Sequence, residues 1–322
     1  MISHSLQTAI ENGLEAMGMA QLTDAREELT SRYRNPSGSP LINTDAHRQA
    51  YVFSRMPATY ASLNSSMLAI KERGDFEIKT VLDLGAGPGT AMWAACENFS
   101  SIEKVTLLEK DTALSAIGKR LAKESELDSI RLANWIEGDL ELIKELPPHD
   151  LVILSYSIGE LKARVMLPLI EICLQAANQL LLIVEPGTPV GFERIRLIRQ
   201  HLIGLGSHLV APCPHHNACP MTGGDWCHFA ARVERTSLHR KLKGGSLGYE
   251  DEKFSYIAAS KERVDQPEAR ILTHPMRHTG HVNLKLCTAE GVKQTTVSKK
   301  MGALYKQVRK AEWGDSFPPK NL

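Results

Sequence analysis

Six cysteines are distributed along this chain, and three of them crowd into one run, Pro212-Cys213-Pro214-His215-His216-Asn217-Ala218-Cys219-Pro220-Met221-Thr222-Gly223-Gly224-Asp225-Trp226-Cys227-His228. In a cytosolic chain such clustering suggests metal or redox chemistry more than structural disulfides. The intervals of five and seven residues are too long for the paired cysteines of a zinc ribbon. Three thiolates on one Pro- and Gly-rich loop, with Cys287 as a distant fourth, suit an iron–sulfur cluster. Zinc held by three cysteines and His215, His216 or His228 is the alternative, and free thiols in an irregular loop are the plainest reading. A nucleophilic Cys213 is disfavoured because Pro212-Cys213 falls beyond the fifth strand. Radical chemistry is disfavoured because the intervals are long and a fourth thiol is at hand. Cys96 and Cys173 fall inside amphipathic helices and read as small buried core residues.

A second constellation is Asp83-Leu84-Gly85-Ala86-Gly87-Pro88-Gly89. It follows an apolar strand and opens a helix at Thr90, so glycines turn the backbone tightly and free N–H groups face a ligand. A nicotinamide fingerprint spaces its glycines G-x-G-x-x-G. Here the spacing is G-x-G-x-G with an acid two residues before it, which is similar to motif I of class I S-adenosylmethionine-dependent methyltransferases. In that setting Asp83 receives the cofactor's ammonium, and Gly85, Gly87 and Gly89 pack against its methionine portion. Glu109 accepts the ribose hydroxyls, and Asp139 stands at the adenine end. The segment after the fourth strand, Ser155-Tyr156-Ser157-Ile158-Gly159-Glu160, lacks the Asp/Asn-Pro-Pro-Tyr of amino-methylating enzymes. Tyr156 for stacking and Glu160 as proton acceptor are its only candidates, so the catalytic residues stay unassigned.

The elements that position these residues alternate. Strands are expected at 80–84, 104–109, 134–137, 151–156 and 180–185, and helices at 90–98, 111–123, 160–178 and 192–205. This predicts a Rossmann-like, doubly wound α/β fold with a parallel sheet covered on both faces. Residues 1–75 read as a helical region broken at 35–40, residues 76–205 as the cofactor domain, and residues 206–322 as a cysteine loop and basic region completing the sheet, with strands at 253–258 and 281–287. No apolar run reaches the roughly 18–20 residues of a membrane span. The amino-terminal stretch has no basic segment ahead of a greasy core and carries Glu11 and Glu15, so a cytoplasmic protein is expected. The net charge of +1 hides an asymmetry: residues 229–310 hold 17 Lys and Arg against 8 Asp and Glu. That imbalance suits a polyanion.

Taken together, Tyr51-Val52-Phe53-Ser54-Arg55-Met56-Pro57-Ala58-Thr59-Tyr60, the glycine loop, Glu185-Pro186-Gly187, the cysteine run and Lys253-Phe254-Ser255-Tyr256 carry a resemblance. Across roughly residues 45–310 the chain resembles the methyltransferase-like proteins associated with the small ribosomal subunit, a mitochondrial assembly factor and its bacterial homologues. The resemblance implies a class I methyltransferase fold, binding to small-subunit ribosomal RNA, and a [4Fe–4S] cluster on Cys213, Cys219, Cys227 and Cys287. It gives the basic region a use, with Arg232, Arg235, Arg240, Lys241, Lys243, Lys299 and Lys300 as phosphate contacts. Two other readings stand beside it: a non-catalytic assembly factor on a methyltransferase scaffold, and a small-molecule methyltransferase with structural zinc.

Overall fold

The computed structural model describes residues 2–13, 19–34, 42, 44–235 and 247–319. Helices α1 (His4–Asn12), α2 (Met19–Arg34), α3 (Asp45–Ser54) and α4 (Met56–Lys71) come first. An alternation follows: β1 (Thr80–Leu84), α5 (Thr90–Asn98), β2 (Lys104–Glu109), α6 (Thr112–Lys123), α7 (Asp128–Arg131) and β3 (Asn134–Glu137). It continues through β4 (His149–Ser155), α8 (Ala163–Ala176), β5 (Ala177–Pro186), α9 (Pro189–Gly204) and β6 (His208–Ala211). Strands β7 (Phe229–Glu234), β8 (Tyr249–Ser260), β9 (Ala269–Ile271), β10 (Met276–His278), β11 (His281–Thr288), β12 (Gly291–Ser298) and β13 (Ser316–Phe317) complete the order, with a short helix at Ala303–Val308 before the last.

The chain divides into two compact units, one of residues 1–64, 79–142 and 231–252, the other of residues 65–78, 143–230 and 253–322. In the first, β1 and β3 flank β2 in parallel, with Thr80 opposite Lys104 and Thr106 opposite Asn134. Val81, Leu82 and Leu84 are buried, as a strand covered on both faces requires. Asp111 starts α6 by accepting the N–H groups of Ala113 and Leu114, each at 3.0 Å, which satisfies donors a helix start leaves open. Arg48 clamps the same carboxylate at 2.9 Å from α3.

In the second unit β4 and β5 are parallel, β8 runs antiparallel to β5 from Phe254 onward, and β6 runs antiparallel to β8. Leu151–Leu154 and Leu180–Val184 are buried throughout. Thr188 caps α9 by accepting the Gly191 N–H at 3.1 Å. A Cβ on Gly191 would stand 2.0 Å from the Pro186 carbonyl oxygen, so only glycine fits there. A second, five-stranded sheet is built from β9–β13, with β11 pairing antiparallel to β9, β10 and β12. Its core holds Ile271, Val282, Leu284, Leu286, Val297 and Val308. The strands expected at 253–258 and 281–287 are longer than anticipated, and β6, β7, β9, β10, β12 and β13 went unread. The break expected at 35–40 lies outside the described residues.

Gly118, inside α6, sets how closely that helix approaches the glycine loop. A Cβ there would lie 2.3 Å from the Trp135 ring and 2.8 Å from the Pro88 carbonyl oxygen. Overpacking of this kind costs about 1–3 kcal/mol. Gly118→Ala is therefore expected to lower the unfolding free energy obtained from urea titration by that much despite alanine's better helix propensity; an unchanged or raised value would contradict the close approach.

Candidate functional site

The glycine loop is moulded onto the end of β2. The N–H groups of Gly85 and Ala86 both donate to the Leu108 carbonyl, at 2.8 and 3.1 Å. Gly85, Gly87 and Gly89 have φ of 69°, 56° and 82°, left-handed values that favour glycine. Gly89 is required twice over, because a Cβ there would also meet the Trp135 ring at 2.9 Å. Glu109 closes the arrangement: one carboxylate oxygen accepts the Gly87 N–H at 2.7 Å and the other the Asp111 N–H at 2.8 Å. The residue expected to take ribose hydroxyls thus also holds the loop itself. The Gly138 N–H donates to the Glu109 carbonyl at 3.2 Å, which brings the end of β3 alongside. Asp139 follows there, paired with Lys110 at 2.6 Å and accepting the Glu141 N–H at 3.0 Å.

Asp83 is 0 % exposed. The Met92 N–H favours its ionised form, yet neither carboxylate oxygen completes a hydrogen bond among the described residues. Burial, and next the charge of Glu109, push its pKa up to about 8. A buried carboxylate without a partner is costly and is matched by a cationic ligand. The ammonium of S-adenosylmethionine fits it, and the loop supplies the close backbone approach.

In the second unit the residues after β4 form a tight turn. Tyr156 has φ 56°, a strained value for a residue with a side chain, and its N–H donates to the Val184 carbonyl at 2.8 Å. Glu185, 1 % exposed, accepts from Arg194 at 3.1 Å. Burial pushes its pKa up to about 7, against the pull of Arg194 and the N–H groups of Gly159 and Ile158. Glu160 is exposed.

Cys213, Cys219, Cys227 and Cys287 line one cavity of the second unit. Cys287 lies on β11 directly opposite Arg270 of β9, and residues opposite each other in a ladder share a face. Three segments singled out in the sequence meet at its edge. The Trp226 indole N–H donates to the Gly187 carbonyl at 3.0 Å, the Gly187 N–H to the Lys253 carbonyl at 2.9 Å, and the Ser255 hydroxyl to the Cys227 carbonyl at 2.8 Å. Burial, followed by the neighbouring thiols, raises the pKa of Cys227 well above the usual thiol value and that of Cys287 to about 12. Of the three histidines weighed as ligands, only His215 lines this cavity, with Nε2 3.6 Å from the Cys287 sulfur. His216 instead accepts the Leu209 N–H at 2.9 Å, and His228 bonds the Trp226 carbonyl and stacks on that indole. Among the described residues, no group of three or more His, Cys, Asp or Glu side chains could hold a metal ion in the geometry present. Cys96 and Cys173 are buried in helices as expected.

Two residues of this cavity escaped the sequence reading, Arg199 and Arg270. Arg199 sits on α9 among Ile195, Ile198 and Leu202, all buried. A charge inside an apolar helical stripe was the available signal. Arg270 lies in a strand of three residues, Ala269–Ile271, too short to show a pattern.

The basic candidates divide. Arg232 is 58 % exposed, pairs with Asp251 at 2.9 Å and lies 4.1 Å over the Tyr249 ring. Arg235 is paired with Glu250 at 2.7 Å. Lys299 and Lys300 are exposed on a turn after β12. Arg240, Lys241 and Lys243 lie outside the described residues. No helix among the described residues is long and apolar enough to cross a membrane.

The chain is similar to two fission-yeast proteins (Schizosaccharomyces pombe), the mitochondrial Rsm22-cox11 tandem proteins 1 and 2. Each is 25 % identical over 92 % of this chain and 47 % of its own length. It is also similar to the human mitochondrial ribosome assembly protein METTL17, 23 % identical over 86 % of this chain and 64 % of that protein. The chain thus spans about half the length of the yeast relatives. Among solved structures, magnesium protoporphyrin IX methyltransferase from Synechocystis PCC 6803 superposes with a TM-score of 0.42 at 11 % identity, covering 74 % of this chain and 99 % of that one. Residues 45–318 match the family described as mitochondrial small ribosomal subunit Rsm22, and the chain belongs to that family.

Proposed function

We propose that this chain is an S-adenosylmethionine-binding, iron–sulfur-containing protein of methyltransferase type that acts on small-subunit ribosomal RNA in ribosome assembly or translation. The observation that carries the reading is the convergence of Cys213, Cys219, Cys227 and Cys287 on one cavity. Four thiolates from a loop and a distant strand suit a closed [4Fe–4S] cluster. Such a core is broader than one ion, so its thiolates stand further apart than those around zinc. That suits four thiols which share a cavity without forming a single-ion group.

When bound, S-adenosylmethionine would supply an electrophilic methyl group. Asp83 would receive its ammonium, the loop at Gly85–Gly89 would give it backbone contact, and Glu109 and Asp139 would stand along its ribose and adenine. Small-subunit RNA is proposed as partner from the family and from the yeast and human relatives' names, with Arg232, Arg235, Lys299 and Lys300 as phosphate contacts and Arg240, Lys241 and Lys243 completing the set.

Four outcomes are expected. Anaerobically purified protein contains iron and acid-labile sulfide with visible absorbance, and Cys287→Ser loses both; a colourless protein with stoichiometric zinc would end the cluster reading. Asp83→Asn abolishes S-adenosylmethionine binding by calorimetry. In ligand-free protein the raised Asp83 pKa means that the fold keeps a proton the unfolded chain releases, so stability falls from about pH 4 to pH 8. Asp83→Asn removes that loss, and its gain in Tm is larger at pH 8 than at pH 5, where about 1 kcal/mol corresponds to roughly 2–4 °C. Finally, affinity for a small-subunit RNA fragment falls steeply with salt. Lys299→Ala with Lys300→Ala reduces the slope of log K against log salt by about 1–2; an unchanged slope would remove those lysines from the interface.

A further inference from the structure

Arg199 and Arg270 are 3 % and 1 % exposed and both line the cysteine cavity. Arg199 donates its Nε–H to the Cys213 sulfur at 3.2 Å, and its Nη2 to the carbonyls of His215 and Asn217 at 2.9 and 2.7 Å. Arg270 donates to the carbonyls of Pro212 and Gly314, each at 2.8 Å, while its buried Nη2 has no partner. Among the described residues, neither guanidinium makes an ion pair with a carboxylate. The charge of Asp315 reaches Arg270 without an ion pair, and a second cation, Arg73, acts on it as well. Burying cations with so little compensation is costly, so two such groups around one cavity mark a place for an anion.

An oxidised four-iron core bound by four thiolates is formally dianionic, and two guanidinium groups neutralise it. Hydrogen bonds to sulfur and nearby charge are what set the potential of such clusters. We propose that Arg199 and Arg270 are positioning residues that neutralise the cluster, with Arg199 donating to the sulfur of Cys213 and Arg270 standing across the ladder from Cys287, so that together they fix its potential and its retention. His215 adds a second nitrogen beside sulfur, at Cys287. This assignment rests on the cluster reading above.

The test uses the full chain purified anaerobically: wild type, Arg199→Gln, Arg270→Gln and Arg199→Lys. Iron and sulfide per chain, the rate of iron loss to a chelator, the midpoint of an EPR-monitored reductive titration and a thermal melt are measured on each. The glutamine variants are expected to lose iron about 10–100-fold faster, in line with outer-shell substitutions at other metal sites, and to show a more negative midpoint because a cation that favoured the reduced cluster is gone. Arg199→Lys keeps the charge and should lie between them and the wild type. Should Arg270→Gln melt too low to assay, the Arg199 pair decides. Loaded variants with wild-type midpoints and retention would overturn the role of the arginines and leave the cluster standing. A wild-type chain without iron and sulfide would overturn the cluster, and with it the shell assigned here.

Discussion

The constraint on which the second unit depends is the burial of positive charge at Arg199 and Arg270, neither of which makes an ion pair among the described residues, although the charge of Asp315 reaches Arg270. A guanidinium removed from water must find acceptors for its N–H groups and something to balance its charge. Carbonyls of the cysteine loop answer the first need: His215 and Asn217 accept from Arg199, and Pro212 accepts from Arg270. The arginines therefore hold the loop that carries the thiols. For the second need, the thiolates of the proposed cluster would supply negative charge beside both arginines, and Asp315 acts on Arg270 from further off. Burial and the neighbouring thiols raise the pKa of Cys227 and Cys287, and on the proposed reading a bound cluster would draw those protons off and supply the balancing thiolate charge.

The first unit shows the complementary case, a buried carboxyl at Asp83 that burial keeps protonated until a cation balances its charge. Its surroundings are arranged by Glu109, which spends both carboxylate oxygens on the N–H groups of Gly87 and Asp111. That couples the loop to the start of α6, and Gly118 lets α6 and the Trp135 ring close against Pro88. The ligand-facing geometry of the loop is thus fixed by groups that lie behind it. Any ribose bound at Glu109 would have to share, or replace, the hydrogen bond to Gly87.

Much of this was legible in the sequence because short strand-like runs alternate with amphipathic stretches. Those runs are largely buried in β5 but mostly exposed in β3, where the flanks rather than the core pattern mark the strand. The bounds of β1, β2, β3 and α5 coincide with the observed ones, each being flanked by glycine, proline or a charged turn. The second sheet was not legible for the opposite reason. Strand β12 reads Gly-Val-Lys-Gln-Thr-Thr-Val-Ser, largely exposed, while β9, β10 and β13 have three, three and two residues. Strands that short take their conformation from their neighbours rather than from their own pattern. At the site, the cysteines and the glycine loop announced themselves by residue type. Arg199, Arg270 and the second bond of Glu109 did not, because each depends on which segments tertiary packing brings together.

The residues after β4 bear on how the two halves of the chemistry relate. The tight turn at 158–160 is held from beneath by Glu185, whose charge is already committed to Arg194. No carboxamide or proline pair is available there to orient a target nitrogen, and Tyr156, with its left-handed backbone, is what the turn offers in its place. Transfer to a nucleophile needs proximity and alignment more than a basic group, so the stacking role proposed for Tyr156 would be enough to orient a planar base. On the proposed reading, a chain with a cofactor loop and no acid–base group at this position would spend its binding energy on holding RNA. Methyl transfer would then depend on that placement rather than on a catalytic base.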